Sequence, residues 1–314
     1  MRFSALIIWL ALIVTASAQP RSVERDARSH AQTLLNQARA ALGNTNIHTL
    51  SAVGKVHRPT KYVVVSGPDK IQEKQKTLNS KVEFDFEFPD KFRLREKGTT
   101  IYDTSFDFLQ IINGKETWVY PIPVAPSTRD NRRVVNADEV EQNLNRQLQA
   151  VRISLSRFTL GWLLQSLPGW PFEFSYGGID STEAGTPDVI SVRDTEGFKT
   201  LLTLDRQTHR PLALMETLVM PQREIVLVSV ASFDRRYTRA TFIRARQERQ
   251  ARIKAPQPVS LEMRFSDYRL VKGLLLPHRI TTYHNGQVVE EIQFLEFAIN
   301  RPINPKKFEE KRPH

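Results

Sequence analysis

Lys81-Val-Glu-Phe-Asp-Phe-Glu-Phe88 alternates apolar and charged residues without a break. Successive side chains of a β-strand point to opposite faces. Val82, Phe84, Phe86 and Phe88 therefore share one face, with Lys81, Glu83, Asp85 and Glu87 on the other. The pattern predicts a sheet with one aromatic face, its acidic row turned to solvent. After Pro89-Asp90, Phe92 and Leu94 continue the apolar face, opposite Lys91, Arg93 and Arg95. Ile111–Tyr120 carries Asn113-Gly114, the dipeptide that accepts the positive φ angles of a type I′ hairpin turn. Trp118 and Tyr120 then share a face, and Pro121, Pro123 and Pro126 end the strand. Upstream, Tyr62–Val65 reads as a short strand followed by a polar connection from Gly67-Pro68 towards residue 80.

Two segments change to helical periodicity. In residues 22–42, Ala27, Ala31, Leu34, Leu35, Ala38, Ala41 and Leu42 recur at three- and four-residue spacings, with Ser22 as N-cap and Gly43 as stop. In residues 137–165, Val140, Leu144, Leu148, Val151, Leu155 and Phe158 form a stripe leading into Gly161-Trp-Leu-Leu164. That stripe suits either a packing helix or a lid over an apolar cavity. From Asp188 the chain reads as a strand meander: Val189–Arg193, Phe198–Leu204, Leu212–Val219, Glu224–Phe233, Val259–Phe265, Leu274–His284 and Gln287–Phe297. The last two are joined by a second Asn-Gly turn, Asn285-Gly286. Closely spaced turns favour antiparallel pairing, so the fold class is α+β with mostly antiparallel sheet. Residues 19–300 read as one domain, with Gly177–Pro187 as a possible sub-boundary, and residues 301–314 as a poorly ordered tail.

The chain begins with a secretory pattern: Arg2, an apolar core from Ala5 to Val14, and Ala16-Ser-Ala18 as a cleavage site. The run is shorter than the ~20 residues of a spanning helix, so residues 1–18 are expected to be a cleaved signal peptide. With no cysteine, the chain has no disulfide framework, thiolate metal site or thiol chemistry. It has 45 Lys+Arg against 34 Asp+Glu, a formal charge of +11. Such a balance favours polyanionic surroundings. For an exported protein these are envelope surfaces rather than nucleic acid. The charge concentrates in Arg235, Arg236, Arg239, Arg244, Arg246, Arg249, Arg252 and Lys254, where Glu248 is the lone acid. This run reads as a solvated face or as a docking arm for anionic membrane surfaces or envelope partners.

Catalytic and cofactor motifs are missing. There is no G-x-S-x-G elbow, no H-E-x-x-H and no phosphate loop. His278 and His284 share a strand face but lie roughly 20 Å apart, so no metal or cofactor is expected. Glu83, Asp85 and Glu87 are the weak alternative, a carboxylate-dependent hydrolase. A solvent-facing row lacks the desolvation or like-charge partner that makes a carboxyl a general acid.

Taken together, Phe88-Pro89-Asp-Lys-Phe92, the Asn113-Gly-Lys-x-x-Trp118-x-Tyr120 hairpin, and the helical section before a long meander resemble the periplasmic carriers that move lipoproteins to the outer membrane (LolA/LolB-like). The likeness spans roughly residues 24–170. The segment Gly273-Leu-Leu-Leu-Pro277-His-Arg through Asn300 is similar to the end of larger envelope proteins near that group. The carriers have a basic residue where this chain has Phe88. The resemblance implies a curved, incompletely closed half β-barrel with helices covering its concave face, and an apolar cavity for acyl chains. It implies a monomeric, soluble periplasmic protein, non-catalytic, that holds a lipid or acylated protein. Phe84, Phe86, Phe88, Trp118 and Tyr120 would line the cavity, and Leu144, Leu148, Val151, Phe158 and Trp162 would close it.

Overall fold

The strands implied by the alternation join into one surface. A computed structural model of the chain describes residues 19–43, 47–114, 116–120, 137–167, 170–181, 185–195, 197–223, 225–228 and 235–309. The expected signal peptide lies outside them. Helix α1 (Gln19–Ala41) precedes β1 (Thr49–Gly67), β2 (Lys70–Glu87), β3 (Lys91–Thr99), β4 (Ser105–Asn113) and β5 (Glu116–Tyr120). Helix α2 (Ala137–Leu163) leads to β6 (Glu173–Ile179), β7 (Asp188–Arg193), β8 (Lys199–Leu204), β9 (Pro211–Arg223) and β10 (Ile225–Val228). Helix α3 (Arg235–Ala251), β11 (Ile253–Val271), β12 (Leu274–His284), β13 (Gln287–Ile299) and a 3-10 turn, η1 (Pro305–Phe308), complete the order.

Twelve strands follow one antiparallel path, β5-β4-β3-β2-β1-β13-β12-β11-β9-β8-β7-β6, and β10 runs parallel to the far half of β1. The path's two ends, β5 and β6, do not pair, so the sheet stays open rather than closing into a barrel. Strand β1 is the seam. It pairs with β2 on one side and with β13 on the other. The β6–β7 hairpin spans the sub-boundary expected near residues 177–187 and pairs Gly178 with Val189.

Register places one side of the sheet in the main core. Phe84 pairs with Ala52, which pairs with Phe297, while Ile292, Ile280 and Phe265 stand opposite one another further along. All of these are buried in one cluster with residues of α1 and α2. Helix α1 contributes Ala31, Leu34, Leu35 and Ala38, and Leu42 follows just past its end, along the stripe read from the sequence. It begins at Gln19, so Ser22 lies inside the helix rather than capping it. Arg39 donates to the carbonyl of Leu164 at 2.8 Å, tying α1 to the end of α2.

Gly43 does stop α1, for two reasons. Its φ of +81° is a conformation that β-carbon sterics penalise. A Cβ there would also stand 2.1 Å from the Gly273 carbonyl oxygen, where the neighbouring Leu42 carbonyl accepts from the Leu275 amide. Gly43→Ala should therefore destabilise the fold by about 2–3 kcal/mol, measured as a lower denaturant midpoint with unchanged slope.

The polar connection expected between residues 67 and 80 is instead strand. β2 starts at Lys70, directly after a tight turn from Gly67, and pairs with β1 along its whole length. The distal half of β2 is polar on both faces, which hid it from the periodicity. At this end Val63, Val65, Val226 and Ala245 form a second small core beneath α3. The segment after Asn300 also departs from expectation. Residues 301–309 return to the sheet, η1 packs on β3 and β4, and Phe308 is buried.

Candidate functional site

Helix α2 packs on the core face of the sheet. Its Arg152 donates to Thr117 Oγ1 of β5, and its Arg157 makes two bonds, of 2.8 and 2.6 Å, to Glu216 of β9. Gly161 lets the helix approach β11, because a Cβ there would fall 2.0 Å from the Phe265 ring. The next residue, Trp162, is wholly buried, with ring centroids of Phe84, Phe294 and Phe297 at 5.4, 4.6 and 5.8 Å. Phe158 meets Phe84 at 5.0 Å.

This packing revises the expected cavity. Phe84, Val151, Phe158 and Trp162 are buried core residues rather than cavity wall and lid. Leu148 packs at the edge of that core, and the side chain of Leu144 lies outside the described residues. Trp118 and Tyr120 are on the other side of the sheet. Phe86 pairs with Phe92, and Phe92 with Ile112, whereas Trp118 pairs with Ile111, which stands on the Asp85 and Arg93 side.

An apolar cavity of about 310 Å³ remains at the end of α2, next to the β2–β3 turn. Phe86, Phe88, Phe92, Ile112, Leu167 and Trp170 are its apolar walls. Phe88 stacks on Phe86 at an interplanar angle of 7°. Arg152, Lys91 and the acid Asp90 border this cavity. Arg152 lies over the Trp170 ring at 4.7 Å, whereas Lys91 shares the Asp85 and Arg93 side of the sheet and turns its ammonium to Glu87 at 2.7 Å. That bond holds the Lys91 ammonium above its ordinary pKa. Among the described side chains expected to line or close a cavity, Phe86 and Phe88 border this one. The parity of Phe92 with Phe86 across a short turn could have found a third wall. Trp170, after Pro168-Gly169, gave no periodic sign.

The acidic row is engaged by cations. Asp85, expected to face solvent, is 2% exposed. It accepts from Ser51 Oγ at 2.8 Å, Arg93 at 2.8 Å and Lys307 of η1 at 3.0 Å. Glu83 is held below the ordinary carboxylate pKa: burial pushes it up, but the Lys81 bond and the charges of Lys81, Arg93 and Arg95 outweigh that. A carboxyl held ionised is a poor general acid.

Six of the eight basic residues of the run lie on α3, with Arg252 and Lys254 just beyond it. Arg239, Arg246 and Arg249 are exposed. Arg244 pairs with Glu248, and Arg252 with Glu248 and Glu73. The side chains of Arg235, Arg236 and Lys254 lie outside the described residues. No helix among the described residues is long and apolar enough to cross a membrane, and no metal-ligand cluster occurs among them.

No protein-family model matches the chain, and no curated protein matches it in sequence. Solved structures similar to it include a LolA superfamily protein from Nitrosomonas europaea, at 12% identity and a TM-score of 0.44, covering 89% of this chain and 97% of that one. A domain assigned to an outer membrane lipoprotein-sorting protein of Vibrio parahaemolyticus is 9% identical, with a TM-score of 0.35 over 88% of this chain and 97% of that one. A DUF1329 family protein from Desulfovibrio piger is 8% identical, with a TM-score of 0.35 over 89% and 97%. The first two bear the names of the group that the sequence resembles.

Proposed function

We propose that the protein is a non-catalytic carrier that holds an acyl chain of a lipid or acylated protein in the cavity beside Phe88. The observation that supports this is the cavity itself: about 310 Å³, walled by aromatic and aliphatic side chains, with Lys91 and Arg152 beside it. Burying a methylene gains about 0.8 kcal/mol, so on the order of six of them yield about 5 kcal/mol, a submillimolar affinity. Tighter binding needs a further contact, and Arg152 at the Trp170 wall offers one to an anionic headgroup. The secretory pattern of residues 1–18 supports export to a bacterial periplasm, with the carrier acting as a monomer.

Native mass spectrometry of the purified chain should show co-purified lipid, and a fluorescent fatty acid should be taken up. Phe88→Ser should weaken that uptake about tenfold, since it removes one aromatic wall worth about 1.5 kcal/mol, while leaving the fold intact because Phe88 is only half-buried. Absence of both lipid and uptake would refute the reading.

A further inference from the structure

Helix α3 is built in two faces. Thr241 and Ala245 point into the small core of Val63, Val65 and Val226, and Glu248 turns inward to bind Arg244 and Arg252. The opposite face is exposed and carries Phe242 and Ile243, 54% and 51% accessible, among Arg239, Arg246 and Arg249. At 100° per residue these five fall on one outward arc. Between residues 239 and 250 the single acid, Glu248, is the one turned away.

We propose that this face of α3 lies on the surface of an anionic lipid bilayer, its arginines among the phosphates and Phe242 and Ile243 inserted below them. Charge alone would suit any polyanion. The two large apolar side chains decide in favour of a bilayer, because an interfacial helix buries such residues at the headgroup–acyl boundary, whereas a hydrated polyanion gives them nothing to enter. Val63, beneath α3, and Leu50, at the level of Phe86, occupy opposite ends of β1, about 40 Å apart along the strand. The tether and the cavity are therefore separate sites, which goes beyond the carrier reading.

The test is co-sedimentation of the full chain with vesicles of phosphatidylglycerol or of phosphatidylcholine. Binding to phosphatidylglycerol alone, weakened by salt, is expected. Arg239→Gln/Arg246→Gln/Arg249→Gln should lower that affinity by about a hundredfold, at roughly fivefold per arginine. Phe242→Ser/Ile243→Ser should lower it about tenfold or more. All five side chains are exposed, so these variants keep the fold. Equal binding to both vesicles, or binding indifferent to the arginine variant, would overturn the proposal. So would heparin binding as tight as vesicle binding together with an inert Phe242→Ser/Ile243→Ser variant. Phe88→Ser should leave vesicle binding unchanged, which keeps failure of the cavity separate from failure of the tether.

Discussion

Trp162→Ala should lower the free energy of unfolding by about 3–5 kcal/mol, the cost of deleting a fully buried aromatic side chain. The indole stands where both halves of the sheet meet α2: Phe84 and Phe86 come from β2, Phe294 and Phe297 from β13, and Phe158 from its own helix. Rigid rings and a glycine-close helix leave few neighbours free to collapse into the space, which favours the upper part of that range. Trp162→Phe should cost far less. The Trp162 Nε1 is buried without a hydrogen-bond partner among the described residues, and an unsatisfied buried donor costs about 1–3 kcal/mol. Phenylalanine loses some packing but removes that donor. Denaturant midpoints of the two variants, at equal slopes, decide the matter. Equal losses would mean that the unpaired donor carries no cost.

Arg93→Ala should cost a similar 3–5 kcal/mol, for an electrostatic reason. Arg93 is 6% exposed and its partner Asp85 is 2% exposed, so the truncation leaves a buried carboxylate with only the Ser51 hydroxyl and the half-exposed Lys307 as partners. Removing both members is different: Asp85→Leu/Arg93→Met should recover most of the loss, because the desolvation of both ions disappears with them. Lys307 completes the cluster from η1, but its side chain is 45% exposed, so Lys307→Met should cost no more than about 1 kcal/mol. Chemical denaturation of the three variants gives the ordering. A double replacement as damaging as Arg93→Ala would show that packing, not stranded charge, sets the loss.

The same cluster explains where the sequence was legible and where it was not. Alternation in residues 81–88 put Phe84 and Phe86 on one face of the sheet and Asp85 on the other, as the register has them. It misjudged the exposure of Asp85, because the cover over the charged face comes from η1, more than two hundred residues later. Ile111 and Ile112 are adjacent and both buried, so neither marked which side of β4 faces inward. Without that marker Trp118 and Tyr120 could not be placed, and a strand read on the wrong parity changes every face. The two Asn-Gly turns make the same point. Asn285 and Gly286 both take positive φ, as read. In the other hairpin Asn113 stays in the strand opposite Glu116, and Gly114 opens the turn. Helix α2 showed its apolar stripe plainly. Whether that stripe would roof a cavity or fill it depended on Gly161 meeting Phe265, a contact no local pattern contains.

Strand β1 imposes an order of events on the newly made chain. Leu50 finds one neighbour, Phe86, within the next hairpin, but the other, Ile299, comes from the last long strand. Pairings this distant are slow to form, because the entropy of closing the loop must be met first. Until residues 287–299 arrive, β1 presents an unpaired edge flanked by exposed phenylalanines, the kind of surface that recruits other chains. The seam at β1 is thus completed only when residues 287–299 have been made, however early the local hairpins form.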